Sequence, residues 1–467
     1  MNSESLIERP YDAAKRVSLR QKLFIWSLIT EPLLFFILLP STTIGLPITL
    51  SRVFQAIFLI LCVLNFIFER KFILRINPLK TYNFHLICYY LLIFISSAIG
   101  WQFGSYSINT SSLSTYSEVD MYSSFIGGHL RLAFEGLILI YYFVYFVILP
   151  RFFIYSRLQL SYFFKWMERV FYFFIMVGLI DLLANVIGFD LIPRHLVDSR
   201  WVKVGLRFHS IAGEPRDALV YLLFGLSVLY LMAGLNLKKP PRRIVVVLIL
   251  FCAMLTQSFS GVIGLIFGLG LFVVFTKPNV KNYAVLFLLI FISLIALYLS
   301  FDSSLRIQRY VNMIITLPEV MHLGNPMPYL IVVQSPDVVP IWLFLQKLIE
   351  FDFYAILFGS GIGSASYATN DFMEASTIAI NNPRAQITRL VFESGVIGLY
   401  IYLIILIKPV QRLRAIVKKN CWLSLWFSSL LLFGAVLGHR SNLGLIFVGI
   451  ALAIIINRLD DLKFHRE

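Results

Sequence analysis

Two stretches of this chain put arginine where a helix least favours it. Gly213-Glu214-Pro215-Arg216 opens one apolar run, and Asn382-Pro383-Arg384 opens another. In each, a residue able to cap a helix precedes proline at the first helical position and arginine at the second. A helix start presents free N–H groups and a positive dipole end, so arginine there costs roughly a few tenths of a kcal/mol. An anion held by both the N–H groups and the guanidinium offsets that cost, and the planar guanidinium fork suits phosphate oxygens. Arg207 and Arg389 flank the two stretches. Arg207, Arg216, Arg384 and Arg389 therefore read as contacts for a diphosphate. The competing reading is that they snorkel to lipid headgroups, or that Arg389 pairs with Glu393 one helical turn on.

The elements that must position these residues are membrane spans. Of 467 residues, 59% are hydrophobic and only 14% charged, against about 25% charged in soluble domains. That excludes a water-soluble globular protein, and with it the disordered, collagen-like and disulfide-scaffold classes. The four cysteines lie in apolar runs without CxxC spacing and read as buried filler. A span needs about 20 apolar residues. Runs that meet or approach this fall near 22–40, 46–68, 83–101, 129–149, 163–188, 217–235, 243–257, 261–276, 282–299, 391–409, 421–437 and 442–457. The expectation is an all-α polytopic membrane protein of about 12 transmembrane helices, one domain over residues 1–467. No cleavable signal peptide is expected.

The net charge of +15 reads as the positive-inside pattern, with no nucleic-acid partner. With the N-terminus in the cytoplasm, 25 of the 40 basic residues fall in the tails and short cytoplasmic loops, among them the run from Lys238 to Arg243. Both termini are then cytoplasmic, and the long loops 102–128, 189–216 and 300–390 are periplasmic if the cell is Gram-negative. The 300–390 loop, between spans nine and ten, is too long for a passive connector. Its stretch PIWLFLQKLIEFDFYAILF, 340–358, has Trp342, Leu345, Leu348 and Ile349 at helical spacing, which predicts an amphipathic helix against the membrane face. A lid over a site and a structural cap are equally good readings of it.

Charge within the bilayer is expensive, about 2.5–3.5 kcal/mol per group on insertion scales. Glu31, Glu135, Asp181 and the Glu168–Arg169 pair are the candidates in the first half, and Pro32 after Glu31 predicts a kinked first helix. Spans seven to nine are uncharged inside, which argues against a proton pump or ion-coupled carrier. The basic residues that break the positive-inside pattern, Arg194, Arg200, Lys203, Arg207 and Arg216 before span six, and Arg384 and Arg389 before span ten, point to the outer face.

These same residues carry a resemblance. Arg207 to Pro215 reads R-x-x-x-x-x-G-E-P, Leu255 to Gly261 reads L-T-Q-S-F-S-G, and Phe358 to Ser364 reads F-G-S-G-I-G-S. The last is followed by P-R-A-Q-x-x-R-L-x-x-E-S-G-V-I-G-L from Pro383 to Leu399. In order, spacing and expected side of the membrane, the chain resembles the O-antigen polymerase and ligase superfamily of bacterial membrane glycosyltransferases, over roughly residues 200–410. Ligases of that superfamily usually have His-Asn nine residues before the glutamate of the E-x-G-x-x-G stretch, where this chain has Arg384. They more often show Asn-Pro where it has Glu214-Pro215, and the arginine usual after the serine of the second motif is replaced by Phe259. These departures favour polymerase.

The resemblance implies a lipid-linked donor, an oligosaccharide repeat on undecaprenyl diphosphate, polymerised at the periplasmic face of the inner membrane. It also implies a polysaccharide chain-length regulator as partner, besides the membrane lipid itself. Diphosphate is a good leaving group, so the needs are charge stabilisation, assigned to the four arginines, and removal of a proton from the attacking hydroxyl. Glu214 is the first choice of base, because a carboxylate beside basic groups stays ionised; its other reading is an N-cap. His209 is the second choice, while Asp217 and Glu393 read as local ion-pair partners. No cofactor is expected, and with no DxD-like cluster in the outer loops neither is a metal. The rival functions are a ligase transferring the glycan to lipid A core and a transporter of polysaccharide or lipid-linked sugar.

Overall fold

The structure, a computed structural model, describes residues 17–33, 37–39, 48–69, 80–103, 135–189, 191–192, 207–212, 215–235, 237–256, 338–365, 386–416 and 442–464. The expected spans 261–276, 282–299 and 421–437, Glu214, Arg384 and most of the three long loops lie outside these residues. Of the described residues, 84% are helical, so helices do most of the positioning. Among the described residues five helices are long and apolar enough to cross a membrane: Leu50–Ile67, Glu135–Phe153, Arg157–Val186, Pro215–Gly234 and Gln386–Leu413. Three shorter apolar helical stretches, Tyr82–Ala98, Arg243–Leu255 and Asn442–Ile456, accompany them.

Helix α1, Leu19–Thr30, opens with a capping box in which Ser18 and Gln21 satisfy each other's backbone N–H. The sequence predicts a kinked span over 22–40; instead α1 stops at Thr30. Pro32 has no N–H to continue the ladder, and the chain reverses through a small antiparallel hairpin, β1 (Ile37–Leu39) on β2 (Ile48–Thr49). At 12 residues, α1 is about 18 Å long, short of the ~30 Å bilayer core. The hairpin leads straight into α2, Leu50–Glu69, which returns antiparallel to α1.

Helix α2 is built inside out relative to a soluble helix. Ser51 and Gln55 are buried, while Ile60, Val63 and Ile67 are each more than half exposed. Water would not tolerate that face, but lipid requires it. Helix α3 (Lys80–Phe103) repeats the pattern, with Tyr89 and Ser96 inward and Leu91 and Phe94 outward. Helix α4, Glu135–Phe153, carries a π turn at Phe143–Ile148 just before Pro150, where the Leu149 N–H reaches back to the Val144 carbonyl. A turn later comes α5, Arg157–Val186, capped by Ser156 and Gln159 and about 45 Å long. Helices α6 (Pro215–Gly234) and α7 (Arg243–Leu255) follow. Pro215 is the first residue of α6, as its sequence predicts.

The predicted single amphipathic helix over 340–358 is two. Helix α8, Val338–Ile349, ends in a turn where Phe351 takes a left-handed φ of 55°, and Asp352 then caps α9, Phe353–Phe358, by accepting from the Ala355 N–H. Both pack on α10, Gln386–Ile416. The last helix, α11, is Asn442–Phe464.

Contacts between helices sort their ends into two sets. Tyr82 of α3 bonds the Ile405 carbonyl of α10, the Tyr89 ring packs at a tilt against Tyr402, and Ser96 bonds the Glu393 carbonyl, so α3 and α10 are antiparallel. Asn83 and Tyr82 meet Arg151 while Ser97 lies beside Gly136, so α3 and α4 are antiparallel as well. Glu168 pairs with Lys238 and Phe174 packs edge-on against Tyr221, which makes α5 and α6 antiparallel. One end, here termed proximal, holds the starts of α3 and α5 and the basic residues Arg151, Lys238 and Lys408. The other, distal end holds Ser96, Asp181, the starts of α6 and α10, and the segment 207–212, while Glu31 lies level with Tyr141 and Tyr142, midway along α4. Four of the residues that the sequence singled out for chemistry, Arg207, His209, Arg216 and Arg389, are therefore at the distal end.

Candidate functional site

Among the described residues three polar clusters stand out, two at the distal end and one midway along the bundle. The first is built around residues 207–212, which are riveted to two helices. The Phe208 N–H donates to the Leu255 carbonyl (2.9 Å) and Arg207 Nε to the Thr256 carbonyl (3.0 Å). Both acceptors belong to the end of α7, whose last carbonyls have no partner within the helix. A guanidinium there also faces the negative end of the helix dipole. Arg207 thus sits at a helix C-terminus, where it is electrostatically favoured. On the other side, Ser210 Oγ donates to the Phe174 carbonyl of α5 (2.7 Å), and the Phe208 ring lies over Gly178, where any Cβ would collide with it. Ser210 takes a φ of 49°, unusual for a residue with a side chain, and opens a single 3-10 turn through Ala212.

His209 is buried in this corner. Its Nδ1 faces the Ser210 carbonyl at 3.0 Å and its Nε2 lies 3.3 Å from Asp181 Oδ2. Asp181 also accepts from the Ile192 N–H (3.1 Å) and from Asn185 Nδ2 (3.3 Å). The sequence marks Asp181 only as a charge within an apolar run, and nothing in its spacing links it to His209. Arg216 follows Pro215 in the first turn of α6, half-buried, and α6 packs on the same 3-10 turn.

The second cluster joins α10 to the glycine-rich loop after α9. Helix α10 is broken at Gly395, which has φ 66° and ψ −171°. The break frees the carbonyls of Phe392 and Glu393 from the helical ladder. The Ser360 N–H takes the first (2.8 Å) and the Gly361 N–H the second (3.0 Å), which Ser96 Oγ of α3 also bonds (2.5 Å). The approach is so close that a Cβ on Gly359 would collide with the Glu393 carbonyl, and one on Gly395 with the Leu357 carbonyl. Both glycines are left-handed, so their sequence positions are fixed twice, by φ and by space. The Glu393 side chain, buried, takes both Arg389 Nε (3.2 Å) and Nη2 (2.9 Å) on one oxygen, and the Gly363 N–H as well. The i to i+4 pair weighed for Arg389 is thus present, with both side chains almost fully buried.

The third cluster, centred on Glu31, ties α1, α2 and α11 together. Its carboxylate accepts from Ser51 Oγ (2.5 Å), Gln55 Nε2 (2.9 Å) and Asn442 Nδ2 (2.7 Å), with Arg52 at 3.8 Å. Arg52 in turn donates to the Tyr142 hydroxyl and Gln55 Oε1. A carboxylate so surrounded is the interhelical glue that a membrane interior demands.

Of the residues expected to act, then, Arg207, His209 and Arg216 come together in one corner, and Arg389 lies in another at the same end. Glu214 and Arg384 lie outside the described residues. Asp181, Ser96 and the α7 carbonyls were not legible as partners, because each is recruited by a helix end distant in sequence. Among family models none matches the chain, and among curated proteins none is significantly similar to it.

Proposed function

We propose that this chain is a membrane glycosyltransferase that polymerises oligosaccharide repeats carried on a polyprenyl diphosphate, acting at the outer face of a bacterial inner membrane. One observation carries the reading. The segments that bear the resemblance are bonded backbone to backbone in two pairs, Phe208 to Leu255 and Ser360–Gly361 to Phe392–Glu393, both at one end of a helical bundle. Among the described residues that end carries Arg207, Arg216 and Arg389, whereas the opposite end carries Lys238, Lys239, Arg242, Arg243 and Lys408 as well as Arg151. By the positive-inside rule the distal end is then extracytoplasmic and both termini are cytoplasmic.

In this reading Arg207 and Arg216, with Arg389 from the second corner and Arg384 five residues before it in sequence, stabilise the charge that develops on the departing diphosphate. Preorganised donors of this kind are worth about 10²–10³-fold in rate each. Glu214 takes the proton from the attacking sugar hydroxyl, the bond from that oxygen to the donor's anomeric carbon forms, and the anomeric carbon–phosphate bond breaks. The test is purified protein with defined lipid-linked repeat units and no other acceptor. A polymerase yields a ladder of products. A product formed only when lipid A core is supplied identifies a ligase, and no transfer under either condition overturns the reading. In the same assay Glu214→Gln, which can cap but cannot accept a proton, is expected to lose most turnover, and unchanged turnover removes Glu214 from the chemistry.

A further inference from the structure

Two arginines are buried among the described residues, and they are treated differently. Arg389, 2% exposed, has Glu393 as its counter-charge. Arg151, 5% exposed near the proximal end of α4, forms no ion pair with any described residue. Its partners are neutral: Nε donates to the Val147 carbonyl (3.3 Å), Nη1 donates to Asn83 Oδ1 (2.8 Å), and the guanidinium lies over the Tyr82 ring, 5.7 Å from the centroid. A guanidinium carries five N–H donors, so the rest find no acceptor among the described residues. Neutral partners orient a cation without cancelling its charge, and a cation shut away from water is costly until a counter-ion joins it. The side chains beside it are donors as well. Asn83 turns its oxygen to Arg151, which leaves its NH2 to give. Tyr90 stands two turns further along the same face of α3, with its hydroxyl buried, without a partner and within reach of the Arg151 charge. On the other flank of α3, Lys408 of α10 lies 2.9 Å from His85 Nε2 and adds a second cation at this level.

We infer that Arg151, with Asn83 and Tyr90, forms a binding site for the phosphate of an anionic phospholipid in the leaflet at the proximal end. A gathering of donors around an uncancelled guanidinium selects an anion, and the planar fork matches phosphate oxygens. The level of the site selects a lipid. Arg151 lies two residues before the end of the apolar stretch Glu135–Phe153, and Asn83 lies in the first turn of α3, so both stand where headgroups meet the acyl region. Phe84 and Ile87, on the adjoining face of α3, are 63% and 55% exposed and offer a track for the acyl chains. An arginine at this level usually extends its head outward to the headgroups. Arg151 is instead held inward between α3 and α4, so the phosphate must come to it. Lys238, Lys239, Arg242 and Arg243 at the same end raise the local concentration of anionic lipid without forming the site. The inference is independent of the glycosyltransferase reading.

The test titrates the purified full-length protein in detergent with phosphatidylglycerol, phosphatidylcholine or inorganic phosphate. Binding is read by native mass spectrometry and stability by the thermal midpoint. Phosphatidylglycerol is expected to bind more tightly than phosphatidylcholine and to raise the midpoint by a few degrees, because a ligand that binds only the folded state stabilises it. Arg151→Gln is expected to weaken phosphatidylglycerol binding about tenfold or more, while Lys238→Ala, which removes an exposed charge at the same end, leaves it unchanged. Equal binding by Arg151→Gln and the unmodified protein overturns the site. So does an equal loss in Lys238→Ala, which would mark general attraction to a basic surface. A rise in midpoint with inorganic phosphate that matches the lipid's would make the occupant a soluble anion and overturn the lipid assignment. Should Arg151→Gln fail to fold, Tyr90→Phe, which deletes only the unpartnered hydroxyl, carries the test. It is expected to keep the lipid-free midpoint and to bind phosphatidylglycerol several-fold more weakly, and unchanged binding in that variant overturns the inference.

Discussion

The two arginines that anchor the distal corners are held in opposite ways. Arg389 forks onto the carboxylate of Glu393, four residues on along the same helix and buried with it. Arg207 is held through Nε by a neutral carbonyl at the end of another helix. A guanidinium matched to a buried carboxylate belongs first to the scaffold, because removing either partner strands a charge in a dry interior. A guanidinium held by a carbonyl is oriented without being neutralised by that contact. In the proposed reading both arginines face the diphosphate, but Arg389 is in addition a brace of the helix that presents it.

The largest expected effect tests the ligand side. Arg207→Ala, and equally Arg384→Ala, should abolish polymer formation, a loss of about 10²-fold or more, with membrane insertion and folded yield unchanged. Full-length polymer from either variant refutes the diphosphate assignment of that residue. The scaffold side is tested by Arg389→Ala, which should destabilise the protein by about 3–5 kcal/mol because Glu393 is left buried and unpaired. That appears as lost folded protein and a lower thermal midpoint in detergent. The double variant Arg389→Met with Glu393→Met should recover most of the stability, since an apolar pair of similar volume is tolerated where a broken ion pair is not. If the double variant also regains polymerisation, Arg389 makes no necessary contact with the diphosphate and the comparison is sharpened; if stability returns without activity, Arg389 has a role in both.

The unequal legibility of the two corners has a physical cause. The spans were readable because lipid sets their length: α2, α5 and α6 begin and end within six residues of the apolar runs at 46–68, 163–188 and 217–235. Glu393 was readable as a partner of Arg389 because the helical repeat alone brings i and i+4 together. Asp181 and His209 meet only because α5 and α6 are antiparallel and the chain between them folds back over Gly178, which no local pattern encodes. The first span failed for a related reason. Apolar run length suggested a helix to residue 40, but Pro32 ended the ladder, and the hairpin of β1 and β2 paired backbone that a helix would have satisfied internally. In α8 and α9 the apolar spacing continued through Phe351, and the break was visible only in Asp352, a capping residue with Lys347 3.7 Å away.

A smaller effect probes the joint between the loop and α10. Gly395→Ala adds a Cβ at a left-handed φ, against the Leu357 carbonyl. Strain of this kind costs about 1–3 kcal/mol, less than the broken ion pair. The thermal midpoint should fall, and polymerisation should fall with it, because the Gly361 N–H and Ser96 Oγ lose their common acceptor at Glu393. Unchanged stability would mean that the loop is not seated on the kink.

The smallest effect comes from the far end. Lys238 pairs with Glu168, but its side chain is 55% exposed. An ion pair with its lysine in water is worth about 0–1 kcal/mol, because water already solvates that charge and holding two long side chains together costs entropy, even though Glu168 is only 14% exposed. Lys238→Ala should therefore leave the thermal midpoint and the polymer ladder near those of the unmodified protein, in contrast to Arg389→Ala at the buried end. In the proposed orientation Lys238 acts with its neighbours, as part of the run through Arg243 that the positive-inside rule assigns to the cytoplasmic face. Replacing Lys238, Lys239, Arg242 and Arg243 together should disturb insertion, seen as altered protease access to the loop, where the single change does not. A loss of polymer from Lys238→Ala alone, with insertion intact, would place chemistry at the proximal end and reverse the comparison between the two faces.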